Sequence, residues 1–149
     1  DFDICEEASQ ALLSFEQRIN QKHLNVDIDM PEFGLTVHAF ADAVSQVIYN
    51  LLDNAVKYGA EGGAISLTLE KTERQARLTV ANPGEPIPPE HLAHLFERFY
   101  RADSSRGEKS GFGLGLSIAD TIAKEHKGTL RAESDAVSTR FIFTMPLKK

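Results

Sequence analysis

Two asparagines and a lysine share one face of a predicted helix. Asn50, Asn54 and Lys57 stand at positions i, i+4 and i+7, which places them within roughly sixty degrees of one another around a helix axis. Carboxamide oxygens are hard ligands that suit Mg²⁺, and both the metal and an ammonium group suit phosphate oxygens. Tyr58 borders the same face. The pattern fits a metal-assisted phosphate site, and an ordinary solvated helix face would also produce it, although two asparagines are poor helix formers.

A glycine-rich run directly precedes another predicted helix. It contains Gly111, Gly113 and Gly115, with Leu114 and Leu116 interleaved. Glycines let a backbone approach a ligand closely, and a helix start supplies free N–H groups and a positive dipole end for phosphate. The run matches neither the Walker phosphate loop nor the dinucleotide-binding fingerprint. Taken alone, it is compatible with a phosphate site or with a flexible loop end.

Two further segments lie between these motifs. Residues 82–87, Asn-Pro-Gly-Glu-Pro-Ile, form a predicted turn in which Asn82 could present an acceptor oxygen at a sheet edge. Residues 96–101, Phe-Glu-Arg-Phe-Tyr-Arg, combine aromatic side chains with two cations. For Phe96 and Phe99, anchoring a short helix is the simplest role.

The elements that position these motifs follow from hydrophobic periodicity. Helical spacing predicts three helices, over about residues 3–22, 42–58 and 114–126. We expect Asp3 to be the N-cap of the first helix and Gly59 to end the second in a left-handed conformation. Alternation predicts strands at about 26–30, 129–134 and 139–145, with a β-like piece at 35–38. It also predicts a hairpin of two strands joined by residues 72–74, in which Ile65, Leu67 and Leu69 share one face of the first strand and Ala76, Leu78 and Val80 share one face of the second. Because the strands follow one another in hairpins, we expect an α+β fold: one mixed, mostly antiparallel sheet covered on one face by about three helices.

Residues 82–113 interrupt this regular pattern. They contain four of the six prolines and four of the ten glycines, with a short predicted helix near residues 89–99. An irregular segment of this length in a compact domain more often forms a lid or binding loop than a simple connection. We therefore predict a mobile lid over residues 82–113.

Composition narrows the function classes. The chain has 149 residues, of which 42% are hydrophobic and 26% charged, as expected for a single globular domain over residues 1–149. A net charge of −6 argues against nucleic-acid or direct membrane binding, because either needs a basic face. The one cysteine, Cys5, excludes an internal disulfide and a cysteine metal cluster. We expect a domain of a reducing compartment, the cytoplasm.

Together the motifs resemble a known family. Residues 50–58 match the N box, 82–87 the first glycine box, 96–101 the F box and 111–116 the second glycine box of the ATP-binding catalytic domain of bacterial sensor histidine kinases. These domains belong to the superfamily of DNA gyrase B, the large heat-shock chaperone ATPase and MutL. The four motifs occur in the family's order. The resemblance implies a two-layer α/β sandwich of the Bergerat type with an ATP lid, and ATP and Mg²⁺ as ligands.

The resemblance also implies roles for individual residues. Asn54 would be the main Mg²⁺ ligand with Asn50 in support, and Lys57 and Arg101 would neutralise phosphate charge. Tyr58 and Asn82 would meet the adenine. The other residues that the resemblance places at the nucleotide are Gly84, Ile87, Phe99, Tyr100, Gly111, Gly113, Leu114, Gly115, Leu116 and Thr139.

The chain departs from the family pattern at three positions. Asn82 stands where the family usually has aspartate, which keeps an acceptor oxygen but removes the charge. Pro86 replaces the last glycine of the first glycine box, and Ser138-Thr139 replaces a glycine-threonine pair. Adenine recognition is therefore expected to be retained and weakened.

The implied reaction is transfer of the γ-phosphoryl group of ATP to a histidine in two-component signal transduction. None of the five histidines has the family's phosphoacceptor context, so the acceptor would lie on a separate dimerisation hairpin of the same parent protein, a probable membrane-bound sensor, with a response regulator downstream. Three alternatives stay open: a hydrolytic ATPase of the same superfamily, a non-catalytic nucleotide-sensing module, and a serine kinase acting on an anti-sigma partner. In the superfamily's ATPases the position of Asn50 carries a water-activating glutamate.

Overall fold

The computed structural model describes residues 1–83, 86–97 and 115–147. The strands in these ranges are β1 (Phe2–Asp3), β2 (Asn25–Asp29), β3 (Thr36–Val37), β4 (Ala64–Lys71), β5 (Gln75–Asn82), β6 (Thr129–Ser134) and β7 (Thr139–Pro146). The helices are α1 (Ile4–Ser14), α2 (Glu16–Gln21), α3 (Ala41–Tyr58), α4 (Pro89–Leu92) and α5 (Gly115–Glu125). In the described part of the chain, none of the helices combines the length and apolar character that a bilayer crossing requires.

Five strands form the main sheet in the order β2-β4-β5-β7-β6. β2 and β4 are parallel, while the β4–β5, β5–β7 and β7–β6 pairs are antiparallel. The parallel pair is possible because α3 lies between β2 and β4 in the chain and carries it back across the sheet. The predicted mixed, mostly antiparallel sheet is confirmed.

The core lies between one face of this sheet and the helices. Every second residue of β4 and β5 is buried, and the helix α3 buries a stripe that includes Val44, Ile48 and Leu51. Period two in the strands and a spacing of three to four in the helix direct both sets of side chains to the same interior. α3 packs against α1, α5 and β5, which places the predicted metal-binding helix in the centre of the helical layer.

The first predicted helix is divided. α1 ends at Ser14 and α2 begins at Glu16, with Phe15 outside helical geometry at φ −101° and ψ 1°. The Phe15 side chain is 1% exposed, its ring lies 4.8 Å from the Tyr49 ring, and the Arg18 guanidinium stands 5.0 Å over it. Helical periodicity predicts the burial of this ring, whereas it does not predict the break in the helix.

The beginning of α1 confirms the predicted N-cap. The carboxylate of Asp3 accepts hydrogen bonds from the amides of Cys5 and Leu35 at 2.9 and 3.0 Å, so it joins the helix start to the chain before β3. β1 pairs with β3 in a separate two-stranded sheet that was not predicted. Burial, followed by the nearby Asp3 carboxylate, raises the pKa of the Cys5 thiol to about 11, which makes it a poor nucleophile at neutral pH.

Two local predictions are wrong. Gly59 caps α3 in an extended conformation, φ −67° and ψ 141°, instead of a left-handed one. The strand β2 was expected to bury one face, but Ile28 is 55% exposed because β2 forms the edge of the sheet.

The predicted lid falls only partly within the described residues. α4 is shorter than the helix predicted there, and residues 93–97 continue it as turns. Phe96 packs edge-on against Phe141 of β7, with ring centroids 6.5 Å apart, which confirms its anchoring role. Residues 84–85 and 98–113 of the predicted lid lie outside the described residues.

Candidate nucleotide site

A hydrogen bond joins the two motif-bearing helices. The Asn50 Nδ2 group of α3 donates to the backbone carbonyl of Gly115, the first residue of α5, at 2.9 Å. A Cβ atom placed on Gly115 would lie 3.8 Å from Asn50 Cγ, which is ordinary van der Waals contact. The helix α3, which carries the N box, and the helix α5, which begins within the second glycine box, therefore meet at predicted functional residues.

Asn54 lies one turn further along α3. Its side chain is half-buried, and it forms no hydrogen bond with the residues that the structure describes. Its neighbour Tyr58 is 42% exposed at the end of the helix. A half-buried carboxamide with no hydrogen-bond partner among the described residues can offer its oxygen to a ligand, and Mg²⁺ typically takes only one or two protein oxygens and fills its remaining positions with water and phosphate. The residues present thus fit a magnesium ion.

Lys57 belongs to a small charge network. Its Nζ atom lies 3.0 Å from Oδ2 of Asp53, and Nη1 of Arg18 donates to Oδ1 of the same carboxylate at 2.9 Å. This network places two cations around one carboxylate and ties α2 to α3.

A second group of predicted residues meets at the ends of β5 and β7. Asn82 and Thr139 face each other in the β5–β7 register, and their exposed fractions are 8% and 7%. The hydroxyl of Thr139 lies 2.8 Å from that of Ser134, and Ser134 Oγ accepts the amide of Ile87 at 2.8 Å. The structure therefore brings Asn82, Ile87 and Thr139 to one end of the sheet.

Residues 40–149 match the family described as histidine kinase-, DNA gyrase B-, and HSP90-like ATPase. The chain belongs to this family. The matched range contains α3, β4, β5 and every candidate site residue from Asn50 to Thr139.

Curated relatives of this ATPase domain are sensor kinases. The probable sensor kinase SilS of Salmonella typhimurium is 48% identical over 102 residues, which cover 68% of this chain and 20% of the relative. The adaptive-response sensory kinase SasA of Synechococcus sp. (strain JA-3-3Ab) is 35% identical over 146 residues, 97% of this chain and 38% of the relative. The chain spans less than half of the length of both relatives.

Solved structures show the same fold over nearly the whole chain. The catalytic domain of histidine kinase ThkA superposes with a TM-score of 0.88 at 30% identity, covering 99% of this chain and 97% of that one. Full-length ShkA in complex with AMPPNP gives a TM-score of 0.86 at 25% identity and covers 99% of this chain and 31% of that one. The histidine kinase ThkA in complex with response regulator protein TrrA gives 0.84 at 29% identity, with 99% and 41% covered.

The site residues predicted from the family motifs divide into two sets. Those that the structure describes are Asn50, Asn54, Lys57, Tyr58, Asn82, Ile87, Gly115, Leu116 and Thr139. Those outside the described residues are Gly84, Phe99, Tyr100, Arg101, Gly111, Gly113 and Leu114. Within the described set, Asn50 meets Gly115 directly, and Leu116 packs partly buried against the core.

Sequence reasoning missed two residues beside this site. Gln46 donates from Nε2 to Asn50 Oδ1 at 2.7 Å, and Ser134 links Ile87 to Thr139. Gln46 stands one helical turn before Asn50, so the i, i+4 spacing already present in the Asn50–Asn54 pair would have found it. The link made by Ser134 joins a loop to two strands, and spacing along the chain carries no signal for it.

Proposed function

We propose that this domain binds Mg·ATP between α3, α5 and residues 82–113, and transfers the γ-phosphoryl group to a histidine of a separate helical hairpin. The hydrogen bond from Asn50 to Gly115 carries the proposal, because it sets the predicted metal-binding helix against the predicted phosphate-binding helix start. The sensor-kinase relatives and the solved structures with AMPPNP and with a response regulator support it.

Residue roles in the proposal follow from side-chain chemistry. Mg²⁺ would be held by Asn54 with Asn50 in support, and when bound it neutralises phosphate charge. Lys57 and Arg101 add cationic charge at the phosphates, and the second glycine box offers backbone amides to them. The adenine would meet Tyr58 and Asn82. The other residues that the proposal places at the nucleotide are Gly84, Ile87, Phe99, Tyr100, Leu114, Leu116 and Thr139.

Transfer is favoured over hydrolysis by the chemistry of Asn50. A carboxamide cannot accept a proton at neutral pH, so Asn50 cannot activate water as a glutamate would. In the proposed step, the bond between the γ-phosphorus and the bridging oxygen breaks, a phosphorus–nitrogen bond to histidine forms, and ADP leaves. The proton of the histidine passes to a base on the hairpin, while this domain contributes positioning and charge neutralisation.

The partners in the proposal are proteins. The hairpin belongs to the same parent protein, and a response regulator then receives the phosphoryl group. We place this work in the cytoplasm, where ATP is available, and the net charge of −6 disfavours nucleic acid as a partner.

Nucleotide affinity tests the site directly. Calorimetry of the wild-type chain with Mg²⁺ and a non-hydrolysable ATP analogue should show binding, and Asn54→Ala should weaken it at least about 10-fold, because a charged ligand loses a direct partner. Asn20→Ala is the matched control: it removes an exposed carboxamide from α2 and should leave the affinity unchanged. A wild-type chain that binds no Mg·ATP would contradict the proposal.

Product chemistry tests the reaction. The chain is mixed with γ-labelled ATP and the hairpin protein, and the labelled product is then exposed to acid and to base. A phosphohistidine is acid-labile and base-stable, which is the expected result. An acid-stable product would indicate a serine kinase, and phosphate release without transferred label would indicate a hydrolytic ATPase.

A further inference from the structure

Three carboxamides follow one another along a single stripe of α3. Gln46, Asn50 and Asn54 stand at i, i+4 and i+8, so each is one turn from the next. Gln46 Nε2 donates to Asn50 Oδ1 at 2.7 Å, and Asn50 Nδ2 donates to the Gly115 carbonyl at 2.9 Å. The two bonds point in one direction, from Gln46 through Asn50 to the first residue of α5.

The direction of these bonds specifies one orientation of the Asn50 carboxamide. A carboxamide that turns over exchanges its oxygen and its nitrogen. If Asn50 turned over, its NH₂ group would face the NH₂ group of Gln46, and its oxygen would face the carbonyl of Gly115. With Gln46 in its present orientation, both hydrogen bonds would be lost together. The Gly115 carbonyl can only accept and so sets the direction of the two bonds, and the Gln46 NH₂ group matches that direction from the other side.

We infer that Gln46 is a positioning residue that orients the Asn50 carboxamide toward Gly115 and leaves one lone pair of Asn50 Oδ1 for the ligand. The hydrogen bond donated by Gln46 occupies the other lone pair of Asn50 Oδ1 and polarises the Asn50 carboxamide. This polarisation strengthens the hydrogen bond that Asn50 donates to Gly115. The inference rests on the proposed function in one respect, since it assumes that Asn50 serves the Mg·ATP site.

Two substitutions at Gln46 separate orientation from packing. Gln46→Met keeps an unbranched side chain of similar length and removes the donor. Gln46→Glu replaces the donor by an acceptor, which favours the turned-over Asn50 amide and so opposes its bond to Gly115. Gln10 provides matched controls, because it is an exposed glutamine on α1 that lines the same open groove as Gln46. The control variants are Gln10→Met and Gln10→Glu.

The first measurement needs no nucleotide. In a ¹⁵N–¹H spectrum of the free protein, the side-chain NH₂ signals of Asn50 are identified by their loss in Asn50→Ala. We expect these signals to move in Gln46→Met, to move further in Gln46→Glu, and to stay in place in both Gln10 variants. Asn50 signals that are unchanged in both Gln46 variants would overturn the inference.

The second measurement is a double-mutant cycle on Mg·ATP-analogue affinity. Gln46→Met should weaken binding about 3- to 10-fold in the wild-type background, which corresponds to one hydrogen bond. In the Asn50→Ala background the same substitution should change affinity by less than about 2-fold, because the group that it orients is gone. Equal losses in both backgrounds would show a purely structural role and overturn the inference.

The two measurements also distinguish failure of the inference from failure of the proposed function. A wild-type chain that binds no Mg·ATP analogue refutes the proposed function, while the spectra of the free protein still decide whether Gln46 orients Asn50. Binding by the wild type together with uncoupled Gln46 and Asn50 effects refutes the inference alone.

Discussion

Asn50 and Asn54 are the same residue type one turn apart, yet their surroundings differ. Asn50 accepts a hydrogen bond from Gln46 and donates one to Gly115, whereas Asn54 has no side-chain partner among the described residues. A carboxamide with both ends engaged holds two helices together, and a half-buried carboxamide without a partner retains its full capacity for a ligand. At the residue scale, the contacts of Asn50 join α3 to the first residue of α5, and the role of Asn54 as a metal ligand belongs to the proposed function.

Asp135 gives a pH-dependent prediction at this scale. Its carboxylate accepts the amides of Val137 and Ser138 at 2.9 and 3.0 Å and the Arg140 guanidinium at 3.1 Å. The Ser138 amide and then the guanidinium hold the pKa of Asp135 at about 2, below the ordinary 3.8. Since the native state lowers this pKa, the stabilisation is present above the unfolded-state pKa and is lost as pH falls through about 2.

The variant Asp135→Asn keeps an acceptor oxygen and loses the charge. We expect it to unfold at a lower temperature than the wild type at pH 6, and the difference should close as the pH approaches 2. Thermal unfolding followed by circular dichroism at a series of pH values measures this. Asp27→Asn, an exposed aspartate on β2, is the control. A difference that stays constant down to pH 2 would contradict the assigned role of the charge.

At the element scale, strong periodicity made the long elements predictable. The alternating burial of β4 and β5 and the apolar stripe of α3 follow directly from spacing, because each element packs one face against the core. The break at Phe15 and the strand β1 were not predicted. Phe15 fits the apolar period of the helix in which the break occurs, and β1 forms by pairing with the distant β3, so neither feature leaves a periodic signal in its own segment.

The two ends of α5 differ in how closely they approach their neighbours, and this difference is testable. A Cβ at Gly115 would meet Asn50 at 3.8 Å, but a Cβ at Gly128, just beyond α5, would lie 2.0 Å from the Thr144 carbonyl oxygen. We expect Gly115→Ala to change the free energy of unfolding by less than about 1 kcal/mol. Gly128→Ala should lower it by about 3 kcal/mol, because the backbone of β7 must move.

Urea denaturation of both glycine variants measures these changes, with the slope against urea checking that unfolding stays two-state. Each variant is the other's control, since both add one methyl group at an end of the same helix. A loss in Gly115→Ala as large as that in Gly128→Ala would show that α5 begins closer to α3 than the Asn50–Gly115 contact allows.

Ser134 links the described part of the predicted lid to the sheet. Its hydroxyl accepts the Ile87 amide and contacts the Thr139 hydroxyl, both at 2.8 Å. Ser134→Ala should abolish protection of the Ile87 amide in hydrogen exchange and lower the free energy of unfolding by about 1 kcal/mol. The control, Ser66→Ala, removes a half-buried hydroxyl on β4. Unchanged protection of Ile87 would show that another group holds residues 86–97 to the sheet.

At the scale of the whole molecule, motif order predicted more of the site than any single motif. Each motif alone also fits an ordinary surface or turn, yet four in sequence predicted a family that the comparison confirms. The hydrogen bond from Gln46 to Asn50 and the link that Ser134 makes between Ile87 and Thr139 could not be predicted from the motifs, because both depend on atoms brought together by folding. The helix α3 carries the apolar stripe and the predicted metal residues together, so fold and site share one element.

Because α3 carries both core residues and predicted site residues, its packing can be tested apart from its polar face. Leu51 follows Asn50 directly and is fully buried, whereas Leu13 on α1 is 67% exposed. Leu51→Ala should lower the free energy of unfolding by about 2–5 kcal/mol, a large part of the ~5–15 kcal/mol typical of a domain. Leu13→Ala makes the same chemical change at the surface and should alter it by less than about 0.5 kcal/mol. Urea denaturation of the two variants measures both.

Adding Mg²⁺ and a non-hydrolysable ATP analogue to the same experiment links core and site. At 100 times its Kd, a ligand that binds only the folded state raises the free energy of unfolding by about 2.7 kcal/mol. Because Leu51 faces the core and Asn50 faces α5, the free energy of unfolding of Leu51→Ala should rise nearly as much as that of the wild type. For Asn54→Ala, whose Kd should be at least about 10-fold higher, the rise at the same ligand concentration should be no more than about 1.4 kcal/mol. If Leu51→Ala gained nothing from the ligand while still folded, the site would depend on α3 packing and not on the side chains of its polar face.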